Sequence, residues 1–116
     1  EALNRYDEAL GIYRQVGDRL GEANTLKAIG KIQENPTDAL QWFAQAHQIY
    51  QTIGDQYSQA LTLLNIAEAQ VKLVQIAEAI NSLMEAAQLA QHIGFQPMQE
   101  YAENRLAQLC QPNTQE

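Results

Sequence analysis

Apolar residues recur along this chain at helical intervals. Leu3, Tyr6, Leu10 and Tyr13 follow one another at 3-4-3 spacing, with Ala2 and Ala9 beside them, and predict an amphipathic helix over residues 1–16. Gly17 stands where a left-handed residue closes such a helix, and Asp18 can cap the next one. A second stripe, Leu20, Ala23, Leu26, Ile29, Gly30 and Ile32, predicts a helix over 19–33. Asn35-Pro36-Thr37-Asp38 then reads as a helix start. Asn35 is the N-cap, Pro36 sits where its missing N–H costs nothing, and Asp38 faces the positive end of the helix dipole. This third helix runs to Ile53, burying Ala39, Leu40, Phe43, Ala46, Ile49 and Tyr50, and Gly54-Asp55 closes it. A fourth helix over 56–72 turns Ala60, Leu63, Leu64, Ile66 and Ala67 inward. A fifth ends at Ile93 before Gly94, and Pro97 opens a sixth over 96–110, leaving 111–116 as a frayed tail.

The chain also repeats itself. Residues 1–18, 38–55 and 78–95 each begin acidic-Ala-aliphatic and end near an aliphatic-Gly pair: Val16-Gly17, Ile53-Gly54, Ile93-Gly94. Within them Tyr6, Phe43 and Leu83 correspond, as do Ala9, Ala46 and Ala86. Gly17 and Gly54 are 37 residues apart, Gly54 and Gly94 40 apart, a period that marks stacked supersecondary units. The repeat also sets the break between the fourth and fifth helices, because Leu73-Val74-Gln75-Ile76 contains neither Gly nor Pro. Gly30 lies mid-helix, where it costs roughly 1 kcal/mol against Ala. Its counterpart is Ala67. Their common smallness predicts the point where two helices cross most closely.

Composition narrows the function. The 116 residues are 46% hydrophobic, enough for one domain with a core, and rich in Ala, Leu, Gln and Glu, which favour helix. A net charge of −7 leaves no domain-wide basic footprint for nucleic acid or anionic lipid, and no apolar run suits a membrane span. The chain begins inside a repeat, with no initiator Met and no signal-peptide pattern; it reads as part of a larger, cytoplasmic protein. Cys110 is the only cysteine, so no intrachain disulfide forms, and a buried structural thiol is expected. No nucleotide-binding, metalloprotease, redox or nucleophile-elbow motif is present; neither catalytic residues, a metal site nor a cofactor is expected. His47 takes a place that is Leu10 and Ala87 in the sister blocks, which points to half-buried packing. The carboxylates fall mainly on outward positions. Trp42, beside Phe43, either packs against a neighbouring helix or belongs to a contact patch.

With Ala67 taken as the eighth position of a unit, Leu63 and Ile66 stand fourth and seventh, Ala79 twentieth, Leu83 twenty-fourth and Ala86 twenty-seventh. Leu26, Ile29, Gly30, Ala39, Phe43 and Ala46 take the same roles one unit earlier, with three residues fewer in the turn. This pattern resembles the tetratricopeptide repeat, a pair of antiparallel helices A and B, in a variant of longer period. Gln33 and Gln70 depart from it, standing where the family favours aromatics late in helix A. The resemblance implies an all-α, right-handed solenoid of six antiparallel helices in the order B-A-B-A-B-A, without strands. It comprises a lone B helix (1–17), two repeats (18–54 and 55–94), and a terminal A or capping helix (95–110).

The resemblance further implies a protein–protein interaction module whose A helices line a concave groove for a partner protein or peptide. Four of the seven basic residues, Lys27, Lys31, Lys72 and Arg105, fall on the A helices away from the core, so an acidic segment or C-terminus is the expected ligand. In several family members five A-helix residues clamp a peptide's terminal carboxylate. Lys27, Asn65 and Arg105 match that set, while Lys31 and Tyr101 replace two of its members. Leu61, Leu64 and Tyr101 are placed to take apolar side chains of the ligand. The rival readings are an oligomerising solenoid that stacks on itself and a peptide-sensing segment of a signalling protein.

Overall fold

The computed structural model describes residues 2–111, and among them six α-helices and no strand: α1 (Ala2–Val16), α2 (Arg19–Lys31), α3 (Pro36–Ile53), α4 (Gln56–Lys72), α5 (Ile76–Ile93) and α6 (Gln96–Cys110). The expected helical start at Glu1 and the tail at 112–116 lie outside the described residues. No helix among these is long and apolar enough to cross a membrane.

The helix ends follow from local chemistry. Asp18, Asn35 and Asp55 each accept a backbone hydrogen bond at the start of a helix, from Gly21, Thr37 and Ser58 at 2.9, 2.8 and 3.1 Å. Gly17, Gly54 and Gly94 close α1, α3 and α5 with φ of 76, 76 and 77°. After each of them the next N–H reaches back to a carbonyl five residues earlier: Asp18 to Tyr13, Asp55 to Tyr50, Phe95 to Ala90. This is the Schellman closure, and glycine adopts its left-handed residue without a side-chain penalty. α4 ends on the same hydrogen bond, Gln75 to Gln70 at 2.8 Å, but its left-handed residue is Val74, with φ 60°.

Each helix packs chiefly on its neighbours in sequence, α1 on α2 through to α5 on α6. The body measures 53 × 32 × 18 Å with a radius of gyration of 15.2 Å, above the ~13 Å of an equally long spherical domain. The small residues of the repeat sit at the contacts. Ala46, Ala67, Ala79 and Ala86 are fully buried, as are Leu26, Ile29 and Leu83 beside them. Gly30 is buried under the ring of Phe43, as its smallness predicted: a Cβ there would lie 2.7 Å from Cε1. Gly21 lies closer still under Tyr13, where a Cβ would be 2.5 Å from Cδ1.

Several expectations are corrected. α2 leaves the helix at Ile32, and Ile32 and Gln33 instead make tight bonds to the carbonyls of Ile29 and Gly30. Leu20 and Ile32 are exposed because burial on α2 is confined to its middle, between Glu22 and Gly30. Cys110 is exposed rather than buried; it ends α6, which packs on α5 alone among the well-contacted pairs. Glu22 departs from the outward carboxylates. It is buried, and its two oxygens meet Arg14 Nε at 2.9 Å and Arg19 Nη1 at 2.8 Å. The buried hydroxyls Thr25 and Thr62 donate to the carbonyls of Gly21 and Ser58 within their own helices.

Candidate helix-face binding site

The eight residues singled out from the sequence lie on α2, α4 and α6, and the structure gathers three of them. Lys31, Asn65 and Lys72 line one cavity of about 180 Å³. Phe43, Ala39 and Pro36 of α3, with Gly30, Gln33, Glu34, Glu68 and Ala69, complete its lining. The sequence builds this hollow in two ways. Gly30 has no side chain, which lets the Phe43 ring lie against its backbone and form part of the lining. On α4, Leu61, Asn65, Glu68 and Lys72 follow at 4-3-4 spacing, so they share one side of the helix.

Glu68 is the residue that the sequence reading missed. Its carboxylate accepts from Arg105 Nε at 2.7 Å and from Nη2 at 2.8 Å, which ties α4 to α6. Arg105 Nη1 also donates to Gln108 Oε1 at 2.9 Å. The hydrogen bond from Arg105 holds the Glu68 carboxyl below the usual carboxylate range. Burial opposes the shift, while the charge of Arg105, the Tyr101 hydroxyl and the charge of Lys72 reinforce it. The same bond raises Arg105. Glu68 is therefore ionised at neutral pH, and Arg105 presents a charge already met within the chain. By the repeat spacing, Lys31, Glu68 and Gln108 hold equivalent places on α2, α4 and α6. A cation, an anion and a neutral amide thus follow one another along this face.

Lys27 is likewise engaged. It is half-buried with Nζ 5.7 Å from the centre of the Tyr50 ring. Burial pushes its pKa down and the charge of Lys31 adds to this, against an opposing pull from Asp55. Tyr50 is fully buried, donates its hydroxyl to Asn24 Oδ1, and has its pKa pushed up to about 12 by burial and by Asp55. Leu61 and Leu64 are half-buried against Ala60, Ala90 and Met98, which takes up part of their apolar surface. Tyr101 is 48% exposed beside Glu68. Lys31 and Lys72 make no ion pair among the described residues.

The remaining candidates pack. Trp42 is half-buried against the cluster of Leu10, Leu26, Ile29 and Tyr50. His47 is half-buried with a buried Nε2 that has no hydrogen-bond partner among the described residues; burial lowers its pKa and the charge of Glu85 opposes the shift.

No protein-family model matches this chain, and no curated protein matches it.

Proposed function

We propose that this chain is a helical-repeat module of the tetratricopeptide kind that binds an acidic segment of a partner protein along the α2–α4–α6 face. On this reading α2, α4 and α6 are the A helices of a right-handed solenoid. The observation that carries it is the cavity that Lys31, Asn65 and Lys72 line together with Phe43. Lys31 and Lys72, which make no ion pair among the described residues, and the amides of Gln33 and Asn65 stand there with the carboxylates of Glu34 and Glu68, beside the apolar Pro36, Ala39 and Phe43. That combination suits a carboxylate attached to a small apolar side chain. The positive character of this face is weaker than the four basic residues suggest, because Glu68 offsets Arg105, Lys27 lies over Tyr50 and Glu34 lines the same cavity as Lys31 and Lys72. Lys31 and Lys72 therefore carry the attraction.

Titration with an acidic peptide, with its C-terminus free and amidated, tests this. Binding is expected to weaken with added salt and to fall roughly three- to tenfold in Lys31→Ala/Lys72→Ala, because exposed charge pairs contribute modestly. If the ligand is a C-terminus, amidation costs a further ten- to hundredfold, roughly the loss of one charge-assisted hydrogen bond. Affinity that responds to neither salt nor the double variant overturns the reading.

Self-association is the second reading, favoured by the exposed apolar residues of α1: Leu3 at 45%, Ile12 at 59% and Val16 at 70%. Sedimentation that grows with concentration, and returns to monomer in Ile12→Glu/Val16→Glu, would support it. A wild-type monomer at high concentration would remove it.

A further inference from the structure

Glu68 stands among the cations that make this face attractive to an anion. It lines the cavity with Lys31 and Lys72 and accepts two hydrogen bonds from Arg105. This two-point geometry is the one an incoming carboxylate would adopt on the same guanidinium. Both partners are open to solvent, the Glu68 side chain 37% exposed and that of Arg105 22%. We propose that Glu68 is an internal competitor: it holds Arg105 in the free protein and yields it to a carboxylate of the bound segment. The proposal rests on the reading of this face as a peptide-binding site.

The proposal defines the ligand more narrowly. A segment with one carboxylate can sit between Lys31 and Lys72 and leave the ion pair intact. A segment with two reaches Arg105 with the second, in Glu68's place. The displaced Glu68 keeps a cation nearby, because Lys72 stands four residues on along α4 in the favourable Glu-before-Lys order. The exchange therefore leaves no carboxylate without a partner. Glu68 also sets specificity, since a neutral segment gains nothing from Arg105 that Glu68 does not already supply.

Calorimetric titration with a peptide of alternating Glu and Leu, acetylated and amidated so that only side-chain carboxylates remain, tests the exchange. Glu68→Gln should bind roughly three- to tenfold more tightly than wild type, the scale of a part-exposed ion pair that no longer has to open. Glu8→Gln removes the same charge from the exposed side of α1 and should change affinity less than about twofold, because salt screens distant charges. Glu68→Gln/Arg105→Ala should lose the gain. Wild-type binding with Glu68→Gln no tighter than Glu8→Gln overturns the competitor and leaves the peptide-binding reading standing. No binding by any of these proteins overturns both. A measurement on wild type alone guards against a folding defect. The Arg105 Nε–H resonance should move as peptide saturates the protein, and a resonance that stays at its free position contradicts the exchange.

Discussion

The ring of Phe43 lies against the bare Cα of Gly30, so close that a methyl group there would sit 2.7 Å from Cε1 and 2.8 Å from Cδ1. Ala67 and Leu83, both fully buried, hold the equivalent places in the next repeat. The two pairs divide the space differently: no side chain with a large ring, or a methyl with a smaller aliphatic. Gly30→Ala should therefore destabilise by about 1–3 kcal/mol through overpacking, outweighing the roughly 1 kcal/mol that alanine gains in a helix. Gly30→Ala/Phe43→Leu copies the downstream pair and should recover most of the loss. Thermal melts of the single and double variants check this, and a stabilised Gly30→Ala contradicts the close contact.

Val74 does the work of a glycine with a β-branched side chain. Its φ is 60° and its side chain is 79% exposed, so the left-handed conformation is a strain with no compensating burial. Left-handed backbone costs an L-residue roughly 1–2 kcal/mol, more than the conformational entropy that glycine gives up. Val74→Gly should raise the melting temperature by a few degrees. A drop of similar size would mean that the α4–α5 turn relaxes away from the Schellman form in solution.

Ala46 and Ala86 are fully buried at equivalent points of α3 and α5. Replacing either with leucine forces a branched side chain into a helix contact and should cost about 1–3 kcal/mol. Ala44→Leu, on the exposed side of α3, is the control and should be near neutral. Equal melting temperatures for Ala46→Leu and Ala44→Leu would break the equivalence of the repeats.

Most of this architecture was legible in the order of residues, for physical reasons that also explain the gaps. Four apolar stripes predict the first four helices, because each must bury one side against a neighbour, and the repeat with Gly94 and Pro97 places the last two. Gly17, Gly54 and Gly94 marked three ends because glycine tolerates positive φ. The α4–α5 break was invisible locally, since Val74 adopts the same conformation without the residue type that announces it, and only the repeat placed it. The apolar pattern overshoots the end of α2 by two residues because Ile32 continues it after the backbone has left the helix. At the site, the resemblance puts Lys31, Asn65 and Lys72 on helices that would line one groove, and these three share one cavity. The pairing of Glu68 with Arg105 depends on which side chains meet between α4 and α6, 37 residues apart, and no local spacing encodes that. The signal available was weaker: Glu68 falls on the same side of α4 as Asn65 and Lys72. The stacking of Lys27 on Tyr50 was hidden for the same reason.

His47 should make stability fall on mild acidification. Its folded pKa is lowered from 6.5, chiefly by burial, so the unfolded chain binds the proton more readily. Stability is therefore intact above pH 6.5 and is lost as pH falls through the lower folded value. His47→Leu, which copies Leu10 of the first block, should lack this component. Denaturant unfolding of the two proteins from about pH 7 to 5, the range over which histidine titrates, should show a stability difference that widens in favour of the variant. A constant difference would place the buried Nε2 in contact with water.

If a partner's acidic segment lies on the α2–α4–α6 face, a saturating acidic peptide should reveal it in chemical-shift mapping. Shifts should concentrate at Lys31, Asn65, Lys72 and Arg105, with the exposed Ile12, Gln48 and Gln88 of α1, α3 and α5 unmoved. Shifts confined to those last three helices, or no shifts at saturation, would contradict it.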